Sequence, residues 1–462
     1  HRVVPADFVT TDDGTGIVHI APAFGQDDLD TGEAHRLDAP RPVGTDGRFT
    51  DAVPIVAGRF FKDADPVLID DLRKRGRLVR SEQFVHGYPH CWRDGSPLMN
   101  MATPSWYIAT SAVRERMLEL NKEIGWHPEH VRDGRFGKWL EGNVDWAISR
   151  SRYWGTPLPF WRCDECAEVT VVASIPELRE RARGEVGEDF DPHRPYVDEV
   201  TISCDACGGP SRRAPEVLDV WYDSGAMPFA QLGYPQSGAQ LDQGFPADFI
   251  SEALDQTRGW FYSLLAESTL LFDTTSYRNV VCLGLILDSE GQKMSKSKGN
   301  VVEPWAVLDT HGADAFRWYL LTAQTPGESF RFSLDAVAEA KRRFLLTLWN
   351  TYSFLVGYAS LPDGWAPGDG APPVTERPPI DRWALSRLDA TVEEATELLK
   401  AYDATTAGRR IETFVDDLSN WYVRAGRARF WAGRFGEAGD DTRAAFATLH
   451  ECLATVAKLL AP

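Results

Sequence analysis

Apolar and polar positions alternate in three different ways along the chain. Up to about residue 140, short apolar runs such as Gly16-Ile17-Val18-His19-Ile20-Ala21 and Asp51-Ala52-Val53-Pro54-Ile55-Val56 are broken by Gly, Pro and Asp. That pattern predicts a β-rich region with some helix, notably over 66–77. From about 141 to 333 strand-like and helix-like stretches mix in α/β fashion. Residues 216–222 and 247–251 read as buried strands. The second leads into a helix with Trp260, Phe261, Leu264, Leu265 and Leu271 at helical spacing. A further strand over 280–287 ends in the turn-prone Asp288-Ser289-Glu290-Gly291. Beyond 334 the period is helical: Phe344, Leu345, Leu348, Trp349, Tyr352, Leu355 and Val356 form one stripe. A Pro/Gly-rich connector over 361–379 precedes helices expected at 383–400, 405–431 and 442–460. No internal repeat is visible, and no apolar run reaches the length of a membrane span.

Composition adds bounds to this picture. The 462 residues are 43% hydrophobic and 25% charged, a globular composition with room for two to four domains. Seven cysteines in a long chain fit a reducing compartment, hence a cytoplasmic setting, with metal-bound or free thiols. The start at His1 has neither an initiating methionine nor a signal-peptide profile. Net charge is −19, but residues 341–462 carry 15 basic and 16 acidic groups, a balance of −1 that leaves −18 on the first 340. A nucleic-acid contact is therefore expected only on a limited, salt-sensitive basic face.

Four stretches carry chemistry. Lys293-Met294-Ser295-Lys296-Ser297 places cations on flexible stems just after a strand, suited to a polyphosphate whose charge shifts during reaction. A solvated basic loop is the plain alternative. Cys163-Asp164-Glu165-Cys166 and Cys204-Asp205-Ala206-Cys207 are two Cys-x-x-Cys knuckles with 37 residues between them. Together they supply the four thiolates of a closed structural zinc site, with a small domain filling the gap. Cys91, in His86-Gly87-Tyr88-Pro89-His90-Cys91, reads as an ordinary thiol. Glu252 and Asp255-Gln256-Thr257-Arg258-Gly259-Trp260 follow a strand and open a helix, where carboxylates meet a ligand's hydroxyls and ammonium. Asp255 serves equally well as a helix N-cap. Trp221 and Trp260 offer walls for a small apolar pocket, although such tryptophans also build cores. In the last third, Trp421-Tyr422-Val423-Arg424-Ala425-Gly426-Arg427-Ala428-Arg429-Phe430-Trp431 interleaves arginines with aromatics, as RNA contacts or as a core stripe with a basic outer face.

The order of Asp145-Trp146-Ala147-Ile148-Ser149-Arg150, Asp219-Val220-Trp221-Tyr222-Asp223-Ser224-Gly225, Asp255 to Trp260, and Lys293 to Ser297 resembles class I aminoacyl-tRNA synthetases, and among them the isoleucyl-tRNA synthetases. The valyl type is the nearest competitor. The resemblance implies a Rossmann-type α/β catalytic domain, second half only, over 141–333, with a zinc-binding insertion at 160–214. It further implies the latter part of a β-rich inserted editing domain over 1–140 and an incomplete helical anticodon-binding domain over 334–462.

The same resemblance assigns roles. Lys293, Ser295 and Lys296 would attend the phosphates of ATP, held with Mg2+, with the two lysines catalytic. Glu252 and Asp255 would hold the adenylate. Trp221, Gln256 and Trp260 would form the isoleucine pocket. Asp28, with His19 nearby, would grip the ammonium of a misattached amino acid in editing. Cys163, Cys166, Cys204 and Cys207 would bind structural Zn2+. Arg424, Arg427 and Arg429 would meet tRNA(Ile). The family's His-x-Gly-His element and the upstream editing segment are absent, which implies a fragment, monomeric and inactive in aminoacylation by itself. A zinc-stabilised tRNA-binding module without catalysis and a free-standing editing hydrolase are the other readings.

Overall fold

The computed structural model describes residues 2–12, 15–91, 94–235, 241, 244–295, 298–361, 365–432 and 439–461. It divides into two compact units, residues 1–106 and 107–462.

Among its described residues the first unit holds two α-helices, α1 (Gln26–Ala34) and α2 (Phe61–Lys74). Its expected β-richness is not found. Among the described residues extended backbone pairs there only at isolated bridges, Val43 with Phe49, Arg48 with Phe60, and His90 with Pro97. The apolar runs are strand-like in composition, but a strand needs a ladder partner, and among the described residues of this stretch none forms a ladder.

In the second unit, α3 (Arg114–Glu123) leads into β1 (Gly125–His127). Residues expected to close the β-rich region thus join the parallel sheet instead. After a four-stranded antiparallel sheet, Phe160–Cys163, Val169–Val171, Ile202–Ser203 and Pro210–Arg213, comes α4 (Val220–Ala230). Then β2 (Ile250–Ala253), α5 (Trp260–Phe272) and β3 (Asn279–Leu283) form a βαβ unit. The sheet order is β2-β3-β1, all parallel, with Ile250 opposite Val280 and Val281 opposite His127. Helix α5 is buried continuously from Phe261 to Thr269, so it packs as a core element on every side.

Two sequence expectations are corrected here. The apolar stretch 216–222 is strand only at Val217–Leu218, because Asp219 caps α4 by accepting the Trp221 N–H at 3.2 Å. The run 280–287 breaks at Gly284, where a Cβ would lie 2.0 Å from the Glu328 carbonyl oxygen. Ile286–Leu287 then pairs in parallel with Phe330–Arg331 in a separate ribbon.

The C-terminal part is helical: α6 (Pro379–Lys400), a continuous run from Ala404–Asp416 through a π-helical turn at Asp417–Val423 to Arg424–Ala432, and α7 (Asp440–Leu459). Phe344, Leu388, Phe414, Tyr422, Phe430 and Phe446 lie in its core.

Candidate active site and metal centre

In a parallel sheet, loops leaving the carboxyl ends of neighbouring strands share one edge, and ligands bind there. Strand β2 ends at Ala253, opposite Leu283 at the end of β3. The Asp255 to Trp260 motif leaves the first strand and the stretch toward Lys293 leaves the second. The topology therefore sends both motifs from the same side of the sheet.

Next to β2 a 3-10 turn, Leu254–Arg258, delays α5, which starts at Trp260. Asp255 is exposed and does not cap that helix. Gln256 does: its Oε1 accepts the Trp260 N–H at 3.0 Å, and its Nε2 donates to Asp255 Oδ2 at 3.4 Å. The Trp260 indole N–H donates to the Ser224 carbonyl at 3.0 Å, tying α5 to α4. A Cβ on Gly259 would sit 2.7 Å from Gln256 Oε1 and 3.3 Å from the Trp221 ring. Trp221 and Gln256 therefore both approach Gly259, the residue before Trp260, and Trp221 keeps 38% of its surface exposed. Glu252 is exposed on β2.

The first turn of α4 is fixed from afar. Buried Asp219 takes the Trp146 indole N–H at 3.2 Å and the Arg150 guanidinium at 2.5 Å on one oxygen, while the other caps Trp221. Strand pairing of Ser149–Arg150 with Val217–Leu218 brings the two motifs together. Arg150 and Asp219 stand in the quoted motifs, but the sequence assigned neither of them a role. Their partnership spans 69 positions, and local patterning carries no trace of it.

Another residue missed by the sequence lies on α5. Glu267 is 3% exposed, and neither carboxylate oxygen has a hydrogen-bond partner among the described residues. A Cβ on Gly225 would fall 2.2 Å from Glu267 Oε1, so α4 is packed directly on the carboxyl. Burial, reinforced by the charge of Asp223, pushes its pKa up to about 9. Asp223 is itself raised by burial and by Asp219, although Thr156 donates to it at 3.0 Å.

After β3, the turn at Asp288 leads to exposed Lys293 and half-buried Ser295. Met294 between them packs beside Val307, Ala315 and Tyr319. Lys296 and Ser297 lie outside the described residues.

The four cysteine sulfurs lie within 4.8 Å of one another. Cys163 approaches Cys207 at 3.5 Å and Cys166 approaches Cys204 at 3.6 Å. Tetrahedral thiolates about 2.3 Å from a zinc ion stand roughly 3.8 Å apart, so the set fits that ion closely. Backbone N–H groups of Cys166 and Glu165 bring the Cys163 thiol down to about 6, while its neighbouring sulfurs push Cys207 up to about 12 and Cys166 is raised as well. No fifth candidate ligand joins this group among the described residues, and Cys91 belongs to no such cluster.

In the first unit, Asp28 lies in the first turn of α1 and accepts the Ala21 N–H at 2.8 Å, while His19 is exposed. In the helical part Arg424 and Arg427 are exposed, and Arg427 lies 5.6 Å over the Trp431 ring. Arg429 is a correction. Its guanidinium binds fully buried Asp381 through two 2.7 Å bonds, and Tyr422 donates to the same carboxylate at 2.7 Å. It is part of the core, not of a free basic face. A cavity of about 470 Å3 beside β1, lined by His127, Arg132 and Tyr402 among others, involves none of these motifs. Among the described residues no helix is long and apolar enough to cross a membrane.

Residues 28–333 match the family described as tRNA synthetases class I (I, L, M and V), and residues 381–462 match the anticodon-binding domain of tRNA ligase. The chain is 50% identical over its whole length to isoleucine–tRNA ligases of Streptomyces avermitilis and Thermus thermophilus, covering 43% and 44% of them. It is 51% identical to one from Dehalococcoides mccartyi, covering 46%. The chain thus spans less than half the length of these curated relatives. Among solved structures, Mycobacterium tuberculosis methionyl-tRNA synthetase in complex with methionyl-adenylate shares the fold, with TM-score 0.59, 20% identity, and 82% of this chain aligned to 64% of that one.

Proposed function

The chain belongs to the class I tRNA synthetases, and from that premise we propose that it is the central portion of an isoleucine–tRNA ligase. The parent enzyme would join isoleucine to ATP, releasing pyrophosphate and forming isoleucyl-adenylate, then pass the isoleucyl group to tRNA(Ile). The observation that carries this is the approach of Trp221 and Gln256 to Gly259, with Gln256 capping the helix that Trp260 opens beyond the carboxyl end of β2. Two indoles there can wall a branched aliphatic side chain. Lys293, Ser295 and Lys296 would face the phosphates of ATP and its Mg2+, and their work is positioning and charge stabilisation. Glu252 and Asp255 would contact the adenylate. Gln256 would present its carboxamide to the amino acid's polar end while holding the α5 N-terminus.

Asp28 and His19 would serve hydrolysis of misattached valine. A pocket separates two side chains differing by one methylene only modestly, and the isoleucine–valine pair is the worked case of that rule. The four cysteines would hold one structural Zn2+ that rigidifies the 160–214 insertion, with no open position for catalysis. Arg424 and Arg427 would contact tRNA(Ile) beside Trp421 and Trp431. Substrates of this kind fit a cytoplasmic, monomeric enzyme.

Isoleucine-dependent ATP–pyrophosphate exchange by the parent polypeptide tests the reading. Residues 1–462 alone are expected to show none. Robust exchange by this stretch would overturn the division of the active site proposed here. Salt-dependent tRNA binding by the parent with no adenylate formation would favour a non-catalytic module instead.

A further inference from the structure

The backbone bearing Lys293 and Ser295 is held by two side chains that the motif itself does not contain. Asp288 Oδ1 accepts the N–H groups of Glu290 at 3.0 Å and Gln292 at 2.7 Å, folding the turn after Leu287. Its other oxygen accepts Asn300 Nδ2 at 2.8 Å. The same Nδ2 reaches the Lys293 carbonyl at 3.3 Å, and Asn300 Oδ1 accepts the Ser295 N–H at 2.9 Å. One carboxamide therefore grips the chain on both sides of Met294, whose side chain packs against the cluster that holds Val307 and Tyr319. Lys293 pairs with Leu287 in an antiparallel bridge, and successive side chains of extended backbone point to opposite sides. With Met294 turned to the core, Lys293 is turned to solvent.

We propose that Asp288 and Asn300 are positioning residues for phosphate-directed Lys293: a side-chain clasp at the neck of the loop that fixes where its ammonium can reach. This deepens, and rests on, the synthetase reading above. The residue types follow from the bonds. Position 300 must donate toward Asp288 and Lys293 and accept from Ser295, which among short side chains only an amide does. Position 288 must accept from two backbone N–H groups and from the amide, which suits a carboxylate; those donors hold the Asp288 carboxyl below its usual range, Asn300 first among them. Neither residue needs to touch a nucleotide. Their effect passes through the backbone they fix.

The reciprocal swap tests this. Asn300→Asp sets two carboxylates against each other, and Asp288→Asn sets two amides together with one donor in excess. The double variant Asp288→Asn/Asn300→Asp restores the pairing in the opposite sense, with the long bond to the Lys293 carbonyl replaced by a weak contact between two acceptors. In the parent polypeptide, each single change is expected to lower kcat for isoleucine-dependent pyrophosphate exchange by roughly tenfold or more, while KM for isoleucine stays within about twofold. The double variant should recover to within about threefold. Singles without effect, a double no better than the product of the singles, or losses confined to the isoleucine KM would overturn the proposal.

Amide hydrogen exchange on residues 1–462 reads the clasp separately from the reaction. The Gln292 and Ser295 amides should be protected, and Asn300→Asp should speed Ser295 exchange by roughly tenfold. If the parent shows no isoleucine-dependent exchange, the proposed function fails while this second arm still decides the clasp. Equal protection in both proteins sinks it.

Discussion

Replacing Glu267 with glutamine should flatten the pH dependence of stability in the 107–462 unit. The carboxyl is 3% exposed, has no hydrogen-bond partner among the described residues, and lies beside Asp223 and Tyr222 on α4. Its pKa rises from the usual 4.5 to about 9 in the folded chain. In the unfolded chain the group ionises near the usual value, so the folded state binds the extra proton between those two limits. The stability this contributes is fully present below about pH 4.5 and is lost as pH rises toward about 9. At about 1.4 kcal/mol per pH unit, the whole span is worth up to roughly 6 kcal/mol, of which about 3 is gone by pH 7. Glutamine has the same shape and never ionises.

Urea unfolding followed by tryptophan fluorescence at pH 5.5, 7.0 and 8.5 provides the assay. The wild type should lose roughly 4 kcal/mol across that range beyond what Glu267→Gln loses, a difference of about one bound proton. At pH 8.5 the variant should be the more stable of the two. Parallel pH profiles would refute the reasoning, because they would mean that the carboxyl ionises normally inside the fold. Gly225→Ala is the companion test. Its methyl would lie 2.2 Å from Glu267 Oε1 and 3.0 Å from the Ser263 backbone, so α4 must shift and the protein should lose about 1–3 kcal/mol at any pH.

Other outcomes follow from the same geometry. The purified chain should carry about one zinc by elemental analysis, and Cys166→Ser or chelation should remove it and lower the thermal midpoint of the 160–214 insertion. Trp221→Ala in the parent should raise KM for isoleucine by roughly tenfold to two-hundredfold in exchange kinetics with little change in global stability. Arg429→Ala leaves the buried Asp381 charge unpaired and should cost about 3–5 kcal/mol in denaturant unfolding. Arg427→Ala should leave stability within about 0.5 kcal/mol and instead lower the salt slope of tRNA binding by about one.

The parts legible in the sequence are those whose logic is local. Each Cys-x-x-Cys knuckle carries its own turn, so the thiolate set could be named from spacing, and the structure does gather all four sulfurs. The helical stripes after 334 likewise need only a 3.6-residue period, and helices Pro379–Lys400 and Asp440–Leu459 follow them. Trp221 and Trp260 stood out in the sequence because each belongs to a short motif that follows a strand, whereas Gln256 was named only through the family resemblance.

What stayed hidden depends on partners far along the chain. Arg429 looks like one of three equivalent basic residues until Asp381, 48 positions away, takes it into the core. Asp219 reads as part of a strand until Arg150 and Trp146 fix it as a helix cap. Glu267 falls in an apolar helix whose period gives no hint that its carboxyl faces inward. The apolar runs of residues 1–106 suggested strands because β patterning reports half of a pair, and among the described residues of that stretch no ladder partner is found.

A crystal structure of the parent polypeptide with a non-hydrolysable isoleucyl-adenylate analogue would decide the placement of the site. The aliphatic side chain should lie between Trp221 and Trp260, with the amino acid's polar end near Gln256 and the phosphate turned toward the loop that follows β3. An analogue bound with its side chain away from both indoles, or with its phosphate remote from Lys293, would contradict the assignment of this edge of the sheet.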